Sequence, residues 1–230
     1  MGNSRPFNPF TSQRLVYRAV RDTPEDEAFV HAIQADAEAQ SGAMYGLLRP
    51  ETLKSSNEFK AEVAEKCLLG AIICLPAAAS GDPENNNNDT TTNLSTNTSS
   101  TALYKDKHNA MAGTPIGIIC LKANPPRFAQ HRWSEISIDV LAEHRGKGYG
   151  AEAIEWSLWY GFRMAGLHRI QIQAFSFNDG ACRLYGEKLG FKEEGRQRDH
   201  VWFDGGWHDN VIYGMLEDEW RATRDGQAQK

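Results

Sequence analysis

Apolar and polar side chains follow each other along this chain in two different periods. Residues 15–20, 67–75 and 114–122 are short runs rich in Val, Ile, Leu and Cys. Their length and β-branched content predict three strands. Residues 134–140 alternate polar and apolar positions with a period of two, which predicts a fourth strand.

Helical signals lie between the first of these strands. Pro24, followed by three acidic residues, is typical of a first helical turn, and Phe29 and Ile33 give that helix an apolar face. We expect it to end near residues 41–42. Residues 55–58, Ser-Ser-Asn-Glu, have the spacing of a capping box and predict a second, short helix.

The second half of the chain alternates strands and helices more regularly. Its pattern predicts a helix over about 148–164, a strand over 168–175, a helix over about 179–189, and closing strands over about 197–203 and 207–215. Asp204-Gly205-Gly206 is a hairpin signal between the closing strands. This order indicates an α/β (α+β) chain with a mixed sheet and helices on its faces.

A low-complexity tract interrupts the pattern. Residues from about 77 to 113 are rich in Asn, Thr and Ser and nearly without apolar side chains, so burial cannot offset the entropy lost on ordering them. We expect a disordered insertion at a hairpin tip within a single domain that spans residues 1–230, with its core at about 14–216. Its three N-x-[ST] matches, at Asn88, Asn93 and Asn97, are expected by chance in such a tract.

Composition narrows the classes of function. Four cysteines without a C-x-x-C pair or histidines at zinc spacing argue against a metal site. A formal charge of −5 argues against nucleic acid as a partner. The absence of a signal peptide and of an apolar run of about 18 residues predicts no membrane association and a cytoplasmic or nuclear location.

The most informative stretch is residues 144–151, His-Arg-Gly-Lys-Gly-Tyr-Gly-Ala, between a predicted strand and a predicted helix. Main-chain N–H groups at a helix start have no intrahelical partner, and glycines let an anion approach them closely. A Walker A loop is excluded because no Ser or Thr follows Lys147. A dinucleotide site is disfavoured because the strand over 168–175 does not end in an acidic residue.

The pattern that fits is R/Q-x-x-G-x-G/A, formed by Arg145-Gly-Lys-Gly148-Tyr-Gly150. On these residues the chain resembles the GNAT superfamily of N-acetyltransferases, and within it the RimJ/RimL-like branch. Residues 178–191 strengthen the resemblance, because an Asn opens the segment, Tyr185 follows seven residues later, and Gly190-Phe191 closes it. Similar sequences carry three residues between the Tyr and the Gly, whereas this chain carries four.

The resemblance implies a fold and a cosubstrate. The expected sheet is mixed, mostly antiparallel and twisted, it splays between two central parallel strands, and helices cover both of its faces. Acetyl-CoA would lie in the splay, and no metal is expected. The cofactor-binding residues that the resemblance implies are Val140 through its main chain, Arg145, Gly146, Lys147, Gly148, Tyr149, Gly150 and Asn178.

The resemblance also implies catalytic roles. Glu135 would take a proton from the amine, directly or through water, and Tyr185 would protonate the departing CoA thiolate. Asp139 and His131 are weaker candidates for the proton acceptor. Transfer through an acetylated Cys182 is the less favoured route, because no His or acid is placed by the sequence to activate that thiol.

The acceptor is expected to be a primary amine, on a small molecule or a peptide, bound by a monomer or homodimer. Trp202, Phe203, Trp207 and Tyr213 suggest an aromatic wall for it, or else part of the core. The alternative function is a non-catalytic acyl-CoA-binding module that senses or scaffolds.

Overall fold

The computed structural model describes residues 8–77 and 111–228, with side chains up to residue 223. Residues 78–110, which carry most of the predicted insertion and its three N-x-[ST] matches, lie outside the described residues. The two described ends of that tract meet, because the Ala77 N–H donates to the Met111 carbonyl over 2.8 Å.

Seven strands and six α-helices make up the described part of the chain. The strands are β1 (Val16–Arg18), β2 (Cys67–Pro76), β3 (Ala112–Lys122), β4 (Trp133–Val140), β5 (Arg169–Phe175), β6 (Lys192–Phe203) and β7 (Gly206–Leu216). The helices are α1 (Pro24–Gln34), α2 (Ala37–Ser41), α3 (Leu53–Ala61), α4 (Tyr149–Trp159), α5 (Asp179–Arg183) and α6 (Glu217–Ala228). Every predicted strand is present, and α6 was not predicted.

The strands form one sheet in the order β1-β2-β3-β4-β5-β7-β6. All neighbours are antiparallel except β4 and β5, which run parallel at the centre. Their pairing covers only Trp133 to Glu135 against Arg169 to Gln171, although β4 continues to Val140 and β5 to Phe175. The two central strands therefore separate, which leaves a gap in the sheet at their carboxyl ends.

Side chains of the sheet point alternately to its two faces and belong to two apolar layers. On one face, Tyr17 and Ile73 belong to the large cluster that includes α4. On the other face, Val16 and Ile72 pack with Phe29 of α1. Adjacent residues of a strand point to opposite faces, so this division shows helices on both faces, as predicted.

The first predicted helix is in fact two. Helix α1 ends at Gln34, and Asp36 caps a new helix by accepting from the Ala39 N–H over 3.1 Å. The predicted capping box at 55–58 was wrong as well, because the cap is Thr52, whose hydroxyl accepts from the Ser55 N–H over 3.2 Å. Both misplacements arise because several Ser, Thr and Asp side chains in this region can cap a helix.

Three helices end in a π turn, in which each N–H bonds five residues back instead of four. These turns are Glu62–Lys66 after α3, Tyr160–Met164 after α4 and Leu184–Lys188 after α5.

The hairpin between β6 and β7 turns on Asp204 and Gly205, both with positive φ, which is the conformation that an Asp-Gly pair favours.

Candidate functional site

The glycine turn lies where the sequence predicted it, between β4 and α4. Gly146 and Gly148 have φ angles of +71° and +81°, a region that disfavours residues with a Cβ. Nothing lies within 4 Å of the position a Cβ would take at Gly146, so the turn is open to a ligand. Gly150 is already inside the helix, and its φ is not positive.

The start of α4 presents unpaired main-chain donors. No side chain among the described residues caps this helix, and its first intrahelical bond runs from the Glu152 N–H to the Gly148 carbonyl over 3.1 Å. The N–H groups before Glu152 therefore lack intrahelical partners, and the helix dipole adds partial positive charge there. They border a cleft of about 480 Å³, here called the glycine-turn cleft, whose other wall includes Asn178 and Tyr185.

Arg145 borders that cleft, but its guanidinium is already engaged by protein groups. Its Nε donates to the Val140 carbonyl over 2.9 Å, its guanidinium pairs with Asp36, and its main-chain N–H donates to the Ala142 carbonyl over 3.2 Å. Arg145 therefore joins the glycine turn to the N-cap residue of α2. The main-chain donors of the cleft come from the residues that follow Arg145.

Arg14 brings a second positive charge to the turn, which the sequence did not predict. Its Nη1 donates to the Lys147 carbonyl over 3.1 Å, and its guanidinium lies 4.8 Å above the ring of Tyr149. Glu152 holds Arg14 in place by accepting from its Nε over 2.7 Å and its main-chain N–H over 2.6 Å. The segment before β1 thus fixes the glycine turn, although it lies more than 130 residues away in the chain.

Main-chain groups of Val140 face the gap in the sheet. The Leu141 N–H donates to the Ile116 carbonyl on the β3 side. Successive residues of a strand direct their main-chain groups to opposite edges, so the groups of Val140 point towards β5, where no strand pairs with them. The Val140 carbonyl is taken by Arg145, and the alternation leaves its N–H directed into the gap.

The π turn after α5 accommodates the extra residue between Tyr185 and Gly190. Its closing bond runs from the Leu189 N–H to the Leu184 carbonyl over 2.9 Å. A π turn contains one residue more than an α turn, so the helix absorbs the longer spacing while Tyr185 still faces the cleft. Burial raises the pKa of Tyr185 well above its usual range, and the nearby charge of Asp139 raises it further. The hydroxyl therefore keeps its proton.

Asn178 is the N-cap of α5, because its Oδ1 accepts from the Ala181 N–H over 3.1 Å. It also lines both the glycine-turn cleft and a second cavity of about 260 Å³, here called the polar cavity. The charged and amide side chains that line the polar cavity are Lys122, Glu135, Asp139, Arg145, Gln173, Asn178 and Asn210. The two spaces share Ile138, Val140, Arg145, Asn178 and Tyr185, so they meet in the gap between β4 and β5.

Glu135 lies in the polar cavity and is held by three donors. Lys122 forms an ion pair with one carboxylate oxygen, and the Nε2 atoms of Gln171 and Gln173 donate to the other over 2.8 Å and 2.7 Å. Burial alone would raise the pKa of Glu135, but these donors outweigh it and hold the pKa below its usual range. Glu135 is therefore firmly ionised and weakly basic.

Asp139 lies further along β4 than Glu135, near the end of the strand and next to the gap. It shares a face of β4 with Glu135, as the alternation predicted, and it lines the same cavity. Burial raises the pKa of Asp139 to about 6, although the nearby Arg145 charge opposes this. A carboxylate with a pKa close to neutrality is better suited than Glu135 to exchange a proton at physiological pH.

The hydrogen bonds of Glu135 fix the orientation of the amides beyond it. A carboxylate only accepts, so Gln173 must direct its Nε2 to Glu135, and its Oε1 accepts from the Tyr45 hydroxyl and the Asn210 Nδ2, each over 2.7 Å. The Asn210 Nδ2 also donates to Gln197 over 2.9 Å. The Asn210 Oδ1 is then left buried without a protein partner among the described residues.

Other expected residues lie apart from the two spaces. His131 is exposed and borders neither of them. The Cys182 thiol lies 3.7 Å from the Phe175 carbonyl, a contact that does not activate it. Tyr213 is buried in the core beside Tyr185, with ring centroids 5.9 Å apart.

Sequence reasoning missed Arg14, Tyr45, Lys122, Gln173 and Asn210. One signal was available, because Gln171 and Gln173 alternate with Ile170 and Ile172 on a central strand. Polar residues at every second position of a strand that is otherwise buried indicate a polar cavity on that face.

Comparison with known proteins identifies the family. A family model described as the acetyltransferase (GNAT) family matches residues 76–191, which is half of the chain. The chain therefore belongs to the acetyltransferase (GNAT) family, and the prediction made from the glycine turn is confirmed.

Similar curated proteins are N-acetyltransferases by name. The chain is 34% identical over 94 residues to the putative ribosomal N-acetyltransferase YdaF of Bacillus subtilis, and the aligned region covers 41% of this chain and 51% of that protein. It is 35% identical over 79 residues to spermidine N(1)-acetyltransferase of Vibrio cholerae, and the aligned region covers 34% of this chain and 45% of that protein. The chain spans about half the length of the curated relatives it matches.

Solved structures extend the similarity over nearly the whole chain. Spermidine N-acetyltransferase from Vibrio cholerae, in complex with CoA and spermine, matches with a TM-score of 0.64 at 20% identity, over 90% of this chain and 98% of that one. A GNAT-family acetyltransferase from Bacillus anthracis matches with a TM-score of 0.63 at 20% identity, over 91% and 99%. The predicted fold is thereby confirmed.

Two kinds of feature are absent from the described residues. No cluster of three or more His, Cys, Asp or Glu side chains among them is arranged to hold a metal ion. No helix in residues 8–77 or 111–228 is long and apolar enough to cross a membrane.

Proposed function

We propose that this protein transfers an acetyl group from acetyl-CoA directly to a primary amine. The observation that carries the proposal is the meeting of two spaces in the gap between β4 and β5, with Tyr185 in the wall of both. One space offers main-chain donors suited to phosphates, and the other offers carboxylates suited to an amine. The acceptor is an amine of a small molecule or a peptide, and the protein acts as a monomer or homodimer.

Acetyl-CoA fits the glycine-turn cleft on the evidence of the turn itself. The pyrophosphate would accept from the free N–H groups of residues 146–150, and the open space at Gly146 admits it. Lys147 supplies an exposed charge at the same place, and Asn178 borders the passage to the polar cavity. Arg145 contributes by tying the turn to Asp36 and not by direct contact with phosphate.

The reaction needs three groups of this chain. The amine nitrogen attacks the thioester carbonyl carbon, and the carbonyl oxygen accepts from the Val140 N–H as negative charge develops on it. The carbon–sulfur bond then breaks, and Tyr185 donates its proton to the thiolate of CoA. The proton lost by the amine goes to a carboxylate of the polar cavity.

Two carboxylates compete for that last role. Glu135 was expected from the resemblance to family members and stays a candidate, directly or through water. Its contacts with Lys122, Gln171 and Gln173 suit it better to binding the ammonium of the acceptor. Asp139, nearer to Val140 and with a pKa near 6, is the carboxylate we assign as proton acceptor.

The test is release of thiol from acetyl-CoA, with mass spectrometry of the products, over a panel of peptides, polyamines, amino sugars and amino acids. We expect a mass gain of one acetyl group on one class of acceptor. The rival is a non-catalytic acyl-CoA-binding module. Tight binding of CoA without release of thiol in the presence of any acceptor of the panel would favour that rival.

A further inference from the structure

A groove lined by aromatic and aliphatic side chains adjoins the polar cavity. Its volume is about 660 Å³, and it is here called the aromatic groove. Its walls come from residues 41–48 after α2, from Phe175 and Phe177 at the end of β5, and from residues 200–204 of the β6–β7 hairpin. Tyr45 and Phe175 line both the groove and the polar cavity, so the two are continuous.

The rings along this groove form an unbroken series. Tyr45 meets Phe175 edge to face at 5.1 Å, Phe175 lies 5.6 Å from Phe177, and Phe177 stacks on Phe203 at 4.7 Å between centroids. Such contacts hold the rings in fixed positions. At the outer end, Trp202 and Leu47 expose 60% and 78% of their surface, so a large apolar area faces solvent next to the acceptor site.

Charge along this path is low. Asp204 is the one acidic residue and no Lys or Arg is present among the residues that line the groove. In the polar cavity, Glu135 pairs with Lys122, and Arg145 pairs with Asp36, so Asp139 is the carboxylate left to meet one ammonium. A polyamine needs carboxylates for its further ammonium groups, and this path offers it one.

We infer that the aromatic groove binds the apolar, preferentially aromatic, first side chain of a peptide whose amino terminus is acetylated in the polar cavity. The inference rests on the proposed acetyl transfer and names its acceptor. The ammonium would meet Glu135 and Asp139, while the first side chain would pass Tyr45 and Phe175 into the groove.

A peptide fits this groove better than a small amine. Sites for small molecules enclose most of the ligand, whereas Tyr45, Leu47 and Trp202 leave this groove open, with 55%, 78% and 60% of their surfaces exposed. An open groove can hold one side chain while the rest of a longer chain leaves towards solvent. Aromatic and aliphatic walls also favour burial of an apolar side chain over a charged one.

The experiment measures kcat/KM for acetylation of pentapeptides that differ at their first residue alone, being Trp, Phe, Leu, Ala or Asp. Spermidine and 2-phenylethylamine are included as the other two kinds of acceptor. We expect the Trp and Phe peptides to exceed the Ala peptide by about tenfold or more, and the Asp peptide and spermidine to be the poorest acceptors.

Two tryptophans of the hairpin supply a matched pair of variants. Trp202 lines the groove, whereas Trp207 does not, and the two are similarly exposed at 60% and 58%. We expect Trp202→Ala to lower the ratio of the Phe to the Ala peptide about threefold or more. Trp207→Ala should lower it less, because Trp207 meets Trp202 edge to face at 5.3 Å but does not itself line the groove. Leu47→Ser, at a more exposed position of the groove, should lower the same ratio without disturbing the fold.

The outcomes separate this inference from the proposed function. Equal rates for all first residues, or preference for spermidine or 2-phenylethylamine, would overturn the aromatic groove as a peptide site while acetyl transfer stood. Acetylation of none of these amines, in a protein that binds CoA, would instead overturn the proposed function. A ratio that falls equally in the Trp202 and Trp207 variants would also count against the groove.

Discussion

The glycine-turn cleft and the polar cavity differ in the kind of group that lines them, main-chain donors in the first and side chains in the second. The cleft takes its donors from the main chain of a few consecutive residues at the start of α4. The polar cavity takes Tyr45, Lys122, Glu135, Gln173 and Asn210 from five separate segments. Recognition by main-chain groups is therefore readable from a local motif, whereas recognition by side chains depends on the register of distant strands.

The largest effect is expected from a charge placed in the cleft. Gly148→Asp puts a carboxylate beside the bound phosphates, and like charges in contact cost several kcal/mol, so CoA affinity should fall by about a thousandfold in calorimetric titration. The substituted residue has a positive φ, and its Cβ would lie 3.3 Å from the Arg14 guanidinium. The strained backbone costs about 1 kcal/mol of stability. Gly166→Asp is the control, at a φ of +66° with nothing within 4 Å, and it should leave CoA affinity intact.

The second-largest effect is expected from substituting the two carboxylates of the polar cavity, and it distinguishes their roles. Asp139→Asn should lower kcat about a hundredfold, in the range that general bases contribute, and Glu135→Gln should mainly raise the KM of the amine. The pH dependence of kcat/KM should bend near pH 6, with activity lost below it, because Asp139 must be unprotonated. That bend should vanish in Asp139→Asn. A bend that persists there and disappears in Glu135→Gln would return the role to Glu135.

Stability gives an independent measure of the same carboxylate. Because burial raises the folded-state pKa of Asp139 above its unfolded value, its ionisation destabilises the protein, and the loss develops as pH rises from about 4 to 6. Asp139→Asn should therefore melt at a higher temperature than the parent at pH 7. A lower melting temperature would indicate that the charge is needed for the fold.

A smaller effect is expected where the two spaces meet. Tyr185→Phe removes the proposed proton donor for the CoA thiolate and should lower kcat about tenfold, while CoA affinity stays constant. Tyr213→Phe is the control, since its ring packs beside Tyr185 in the core and borders neither space. Equal loss in both variants would assign the effect to packing.

The smallest effect concerns the segment that fixes the glycine turn. Arg14→Gln removes a charge and the bond to the Lys147 carbonyl, so CoA affinity should fall about three- to tenfold. Arg14→Lys keeps the charge without the two-armed geometry and should recover part of the loss. Arg163→Gln, at an exposed position beyond α4, should have no effect on CoA binding.

Apart from α6, which it missed, the sequence predicted the elements of the second half to within about five residues, the largest difference being the earlier start of β6 at Lys192, because strands and helices alternate there with distinct periods. It also predicted Gly146, Gly148 and Asn178 at the cleft, since those roles depend on neighbours in the chain. It did not predict the break before Asp36 or the role of Arg14. Both depend on partners more than 100 residues away, Arg145 for Asp36 and Lys147 for Arg14.

The gap between β4 and β5 has a consequence for the order of events. The glycine-turn cleft is lined by α4 and α5, whereas the polar cavity is lined by residues near the end of α2 and by the strands, so we expect the two proposed ligands to reach the gap from different sides. Neither has to leave before the other can enter or depart. Initial-rate kinetics should then follow a random sequential scheme, with CoA competing against acetyl-CoA and the acetylated product competing against the amine.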